Sequence, residues 1–257
     1  ASGVTLEKEW QYGGQRAVVQ KLFADYMKWG GFPELLLFRN KRNWLNSLYD
    51  KILLGDIIQR NKVKNENALR LTMKRLAENV MQPISYNRIA NVIRTTGTSI
   101  AVSSVSDYVR YAVDACMIFS LENYASKFVE KETVKKHYFV DNGLLSIFLL
   151  DGNTALLENL CAIHLHKKYG DKLYFYNKNI EVDFLIVDEG YAVQVSYSIY
   201  GDGKQETFDR ETKALVQLDK YLSLNRMIIV TYDEEGVVTL DNGKQIEVIP
   251  VWKWMLE

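Results

Sequence analysis

Cysteine, proline and histidine are scarce in this 257-residue chain, at 2, 3 and 3 residues. Two cysteines cannot build the disulfide framework of a small secreted domain. Cys116 and Cys161 both sit in apolar segments and read as reduced core residues of a cytoplasmic protein. Three prolines exclude Pro-rich spacers. Long hydrophobic runs are missing too. The longest near-continuous one, Gly143 to Leu150, stops at Asp151, far short of the roughly 20 residues a membrane-spanning helix needs. No basic stretch followed by an apolar one opens the chain, so no signal peptide is expected. The opening Ala1-Ser2-Gly3 lacks Met and reads as a tag scar or a cut into a longer protein. A phosphate-binding loop is also absent. Gly203-Lys204 and Gly243-Lys244 are each followed by Gln, and Ser198 and Val238 stand where the first loop glycine belongs. No ATP site is expected within these residues.

What is present is an ordinary globular composition, 47% apolar and 25% charged. Net charge is zero, but the two ends differ. Residues 1–110 carry 17 Lys and Arg against 9 Asp and Glu, and the remaining residues carry 15 against 23. Within 51–110 the ratio is 10 to 4, the electrostatic footprint of a polyanion-binding surface or, more plainly, of a solvated helical face.

Pattern divides the chain in three. From Arg16 to about Glu78 apolar residues recur at helical spacing, with Trp44, Leu45, Leu48, Tyr49, Ile52 and Leu53 on one stripe. Gly30-Gly31-Phe32-Pro33 interrupts this helical bundle. Next, Ser85 caps a helix over Tyr86–Arg94, and a second helix runs from Ser103 to Ala115 with Val105, Tyr108, Val109, Ala112 and Val113 inward. Strand-like runs over Cys116–Leu121 and Lys136–Val140 follow, which gives the outline of a winged helix-turn-helix. Its exposed cations and hydroxyls, Arg88, Arg94, Ser103, Ser106 and Arg110, are the candidate DNA contacts. From Thr154 the order is helix (154–169, amphipathic), three strands (173–176, 180–187, 191–197), helix (205–222), strand (226–232) and a terminal hairpin. That hairpin turns at Asp241-Asn242-Gly243 as in a type I′ turn. Phe208, Leu215, Leu218, Tyr221 and Leu222 are the core positions of the second helix. The expected regions are 1–78, 79–135 and 136–257, in a mixed α+β and α/β fold.

The αβββαβ order resembles the restriction-endonuclease-like, or PD-(D/E)xK, fold. There an acid on the first helix and an acid on the second strand hold Mg²⁺, and E-x-K lies on the third strand. Glu158 occupies the helix position, and Glu181 and Asp183 share one face of the second strand by its two-residue period. At the third-strand position the chain reads Gln194-Val195-Ser196, an amide for the acid and a hydroxyl for the lysine. The site is therefore expected to be vestigial. Glu158 and Asp183 remain possible metal ligands, Gln194 could still offer an uncharged carbonyl oxygen, and Mg²⁺ is not expected to be required. Lys178 or Lys213 could supply a relocated cation. His164 and His166, two apart on a helix, make a poor metal pair, and His137 reads as structural.

Seven strings occur in order: Gly30-Gly31-Phe32-Pro33-Glu34, Asp56-Ile57-Ile58-Gln59-Arg60, Tyr138-Phe139-Val140-Asp141-Asn142-Gly143-Leu144, Leu157-Glu158-Asn159, Glu181-Val182-Asp183-Phe184, Gln194-Val195-Ser196 and Arg210-Glu211. The series resembles the C-terminal half of bacterial and archaeal AAA-type ATPases that carry an uncharacterised C-terminal domain (domain of unknown function 4143). The resemblance implies a helical segment, a winged helix and a degenerate nuclease-like module behind an upstream ATPase core, with ATP bound only upstream. It further implies a cytoplasmic, DNA-binding or regulatory role, and the ATPase core itself as a partner. The alternatives are a module that only binds protein, and a metal-dependent nuclease with a relocated lysine.

Overall fold

Side-chain caps set the helix starts in the N-terminal third of the computed structural model, which describes residues 16–256. The expectation for Ala1-Ser2-Gly3 lies outside them. Helix α1 (Arg16–Trp29) stops at Gly30, where φ is +82°. Asn40 caps α2 (Lys41–Lys51) by accepting from Asn43 N, and Asn65 caps α3 (Glu66–Glu78) by accepting from Ala68 N. Between α2 and α3 the chain runs on as a π-helical segment, Ile52–Gln59. Leu45, Tyr49, Leu53 and Ile57 form its buried stripe. The stretch from Arg16 to Glu78 is largely helical, as expected.

Strand β1 (Ile84–Ser85), helices α4 (Tyr86–Thr95) and α5 (Val102–Asp114), strand β2 (Ile118–Asn123), the short α6 (Phe128–Thr133) and strand β3 (Val134–Phe139) come next. Ser85 Oγ accepts from Arg88 N, the expected cap. They are followed by α7 (Asn142–Ser146), α8 (Asn153–Tyr169), β4 (Tyr174–Asn177), β5 (Glu181–Ile186), β6 (Tyr191–Val195), α9 (Gln205–Leu222), β7 (Arg226–Thr231), β8 (Gly236–Thr239), β9 (Gln245–Pro250) and α10 (Val251–Trp254). No described helix is long and apolar enough to cross a membrane.

All described strands join one mixed sheet, in the order β1-β3-β2-β4-β5-β6-β7-β9-β8. The β4–β5 and β5–β6 pairs are antiparallel, and β6–β7 is parallel. The seam between β2 and β4 is short, two parallel residue pairs, and Asn123 fastens it. Its Nδ2 donates to Asn177 O at 2.6 Å and its Oδ1 accepts from Asn177 N at 2.9 Å. The expected boundary between 135 and 136 falls inside β3.

A polar lock ties α1, β3, α7 and α8 together. Asp141 accepts from Gly31 N at 2.8 Å and Gly143 N at 2.7 Å. Asn142 donates to Met27 O and Leu156 O. Asn159 pairs with both backbone groups of Phe139, at 2.8 and 3.0 Å. These bonds satisfy buried polar groups that would otherwise cost free energy.

Several details depart from the sequence expectation. Helix α8 is enclosed rather than amphipathic, because the sheet, α1 and α7 pack around it, and every residue from Leu156 to Ile163 is buried. Cys161 is in the core, but Cys116 is exposed in the turn after α5, where φ is +52°. Val113 and Tyr221 face outward. In the terminal hairpin only Gly243 has positive φ, and its N–H donates to Leu240 O. This is a type I turn closed by a left-handed glycine rather than a type I′ turn.

Candidate functional site

Strand β3 alternates, so Lys136 and Tyr138 share one face, turned toward α8. Glu158 meets both. Its Oε1 accepts from Tyr138 Oη at 2.7 Å and lies 3.3 Å from Lys136 Nζ. The same Nζ is 3.0 Å from Asp183 Oδ1 and 3.2 Å from Glu181 Oε1. Lys136 is 0% exposed. The structure thus brings together Glu158, Glu181 and Asp183 around an ammonium group that sequence reasoning missed. Lys178 is exposed on the β4–β5 turn, and Lys213 is exposed at the rim of the adjacent cavity. Neither pairs with the carboxylates of the cluster; Lys136 does. Its spacing to Tyr138 puts the two on one face of the strand, but nothing local in the sequence names Glu158 or Asp183 as its partners.

A bulge aims Asp183. Tyr174 pairs with Leu185 but Tyr176 pairs with Val182, so β5 carries one extra residue over this stretch. Asp183 and Phe184 consequently both face α8, which two-residue alternation alone would forbid. The displaced Asp183 N–H donates to Gln194 Oε1 at 2.8 Å, and Asp183 Oδ2 accepts from Val195 N at 3.0 Å. Gln194 Nε2 donates to Glu181 O at 3.1 Å and to Glu211 Oε2 at 2.9 Å. Gln194 is buried and has both ends of its amide engaged. Glu211, also buried, accepts at Oε1 from Arg210 on α9. Ser196 sits outside this cluster, with Oγ donating to Ser198 O.

A cavity of about 640 Å³ opens beside the cluster, bordered by Glu158, Glu181, Asp183, Gln194, Arg210, Glu211 and Lys213 and, from the α3–β1 loop, Met81 and Gln82. Burial, against the pull of Lys136, pushes the Glu158 carboxyl up to about 8. Burial also raises Glu211, and Asp183 adds to it. Burial disfavours the Lys136 ammonium, yet Glu158, Asp183 and Glu181 together hold its pKa above the ordinary lysine value.

The expected DNA contacts are spread along α4 and α5. Arg88, Ser103 and Ser106 are exposed. Arg94 is tied down, donating from Nε and Nη2 to Ile100 O at 3.0 and 2.8 Å and from Nη1 to Asn91. Arg110 pairs with Asp107 and lies over the Tyr111 ring. Exposed Lys62 and Lys64 lie on the loop before α3, which reaches the α4–α5 turn through Asn65 Nδ2 to Ser99 O and Asn67 Nδ2 to Thr98 Oγ1. His137 is buried, with Nδ1 2.8 Å from Ser120 Oγ. His164 lies against Trp254, and His166 stacks on Phe119. The histidines pack.

Residues 20–155 match the family model described as Domain of unknown function (DUF8612). The chain belongs to that family. It is also similar to an uncharacterized protein of Methanocaldococcus jannaschii, 30% identical over 256 residues, an alignment covering 94% of this chain and 57% of the relative. A second relative, an uncharacterized protein of Haemophilus influenzae, is 29% identical over 252 residues, covering 95% of this chain and 60% of that protein. The chain therefore spans about six-tenths of the length of these relatives. No solved structure matches.

Proposed function

We propose that this chain is the nucleic-acid-associated, regulatory region of a larger AAA-type ATPase, and that its nuclease-like module binds or docks without cutting. Gln194 carries the second half of this reading. It stands where a nuclease of the restriction-endonuclease type would place an acid, and both ends of its amide are spent on Asp183, Glu181 and Glu211. In-line attack on a phosphodiester concentrates charge that must be met by preplaced groups, and a Gln and a Ser at these positions supply none. The element order α3-β1-α4-α5-β2-β3 supports a winged helix. The α8-β4-β5-β6-α9-β7 order, with its two antiparallel pairs and one parallel pair, supports a nuclease-like core. The relatives are longer than the matched segment, which leaves room in them for a further domain.

The engagement of Arg94 and Arg110 favours a second reading, in which the winged helix docks on the ATPase core and not on DNA. Fluorescence polarisation with duplex DNA at low and moderate salt separates the two. Weak binding that falls steeply with salt supports DNA association, since phosphate contacts release counterions. Lys62→Gln/Lys64→Gln/Arg88→Gln should weaken it. Arg94 is left intact because it holds the α4–α5 turn. Undetectable binding at low salt favours docking. Plasmid incubated with Mn²⁺ beside a Glu158→Ala/Asp183→Ala control tests the rest, and cleavage that only the control abolishes would make the chain a nuclease.

A further inference from the structure

We propose that Lys136 is the resident cation of the carboxylate centre, standing where a divalent ion would stand, so that the centre is complete without metal. The inference rests on this cluster alone and is independent of whether the chain binds DNA.

Space is the first constraint. A Mg²⁺ or Mn²⁺ ion shared by Glu158 and Asp183 would sit about 2.0–2.1 Å from their oxygens. Lys136 Nζ already lies within 3.3 Å of one oxygen from each of Glu158, Glu181 and Asp183. Two cations cannot occupy that volume, so a metal would have to expel the lysine. The lysine has nowhere to go. Its side chain is fully enclosed, with Nζ 5.7 Å from the centre of the Phe175 ring, and β3 is fixed on both sides by β1 and β2. Displacement would leave an ammonium buried without partners, which is far more costly than leaving the pairs intact. The rest of the cluster points the same way. Glu158 spends Oε1 on Tyr138 as well as Lys136, and Asp183 spends Oδ2 on Val195 N. Gln194, the remaining position that could have offered a neutral ligand, has its carbonyl on Asp183 N. The donor set suits an ammonium and not a divalent ion.

The arrangement also has a mechanical consequence. Lys136 belongs to β3, the second strand of the hairpin that follows α5, whereas its partners belong to α8 and β5. Contacts from Lys136 Nζ to Glu158, Glu181 and Asp183 thus bolt that hairpin to the nuclease-like core at the place where a nuclease would hold its metal.

The test uses the whole chain near pH 7.5 and Mn²⁺ as the probe, read by electron paramagnetic resonance of free Mn²⁺ and by thermal melting. Wild type is expected to show no Mn²⁺ binding that Asp183→Asn abolishes, and no rise in Tm with Mn²⁺. Lys136→Met is expected to melt lower, to bind Mn²⁺ at least about tenfold more tightly than wild type, and to regain Tm on adding it. Lys136→Met/Asp183→Asn is expected to lose that gain. Asp183-dependent Mn²⁺ binding by wild type would overturn the proposal, as would a folded Lys136→Met variant indifferent to Mn²⁺. Where Lys136→Met does not fold, the wild-type and Asp183→Asn measurements decide alone, because resident lysine and resident metal predict opposite results for them. Loss of DNA binding in any of these proteins touches only the reading of the previous section.

Discussion

Glu158 and His137 give the chain two opposite responses to pH. The folded Glu158 carboxyl lies at about 8, above its ordinary value of 4.5, so the folded state binds the extra proton. Stability from this group is full below 4.5 and is lost as pH rises through about 8. Glu158→Gln, which keeps the shape of the protonated acid, should therefore gain on wild type across that window, measured as Tm against pH. Parallel curves would show that Glu158 stays ionised against Lys136. His137 behaves in the opposite sense. Burial, with a smaller push from Lys135, takes its imidazole down to about 3 from 6.5, and its Nε2 has no partner. Stability is present above 6.5 and lost as pH falls toward 3. His137→Gln should flatten the acid limb of the stability curve by about one proton, and an unchanged acid limb would contradict it.

The bulge in β5 and the break after α1 matter most among the elements. Gln194 accepts from the bulged Asp183 N–H while donating to both Glu181 O and Glu211. Gln194→Glu replaces two donors with a second buried carboxylate facing Glu211. It should cost on the order of 2–4 kcal/mol in chemical denaturation. Substituting Gln194→Glu and Ser196→Lys together is thus expected to weaken the fold before it restores any chemistry, and metal-dependent cleavage by that double variant would contradict this. At the break, Gly30 has φ +82°, and a Cβ there would lie 1.8 Å from Asp141 Oδ1. Gly30→Ala should destabilise by about 1–3 kcal/mol, from the backbone strain and the displaced Asp141 together. Near-wild-type stability would mean that Asp141 is dispensable to the lock. The strings Gly30-Gly31, Asp141-Asn142-Gly143 and Asn159, which read as scattered motifs in the sequence, are the three parts of that lock.

For the whole molecule, continuity of the sheet decides how it can be divided. Strand β2 joins both β3 and β4, and one apolar core runs from Met27 to Trp254. A fragment 136–257 begins inside β3, lacks β2, and exposes the seam along β4. It should fail to give a cooperative melt or a dispersed NMR spectrum. A well-dispersed spectrum from that fragment would show that the seam is a true boundary.

Sequence alone determined the element order from α8 to β9, the helix from 205 to 222, the Ser85 cap, and the grouping of Glu158, Glu181 and Asp183. Each follows from local periodicity, turn chemistry or a known fold order, all of which are written along a short stretch of chain. What only the tertiary structure decided depends on residues far apart. Lys136 meets Glu158 and Asp183 across 22 and 47 positions. No periodicity links them. The bulge that puts Phe184 on the same face as Asp183 is a backbone event settled by the neighbouring strands. The role of Gln194 likewise follows from Glu211, which a helix seventeen residues later brings to its side. A buried charge finds its partners only when the sheet has closed around it, and so its identity could not be read before the fold was known.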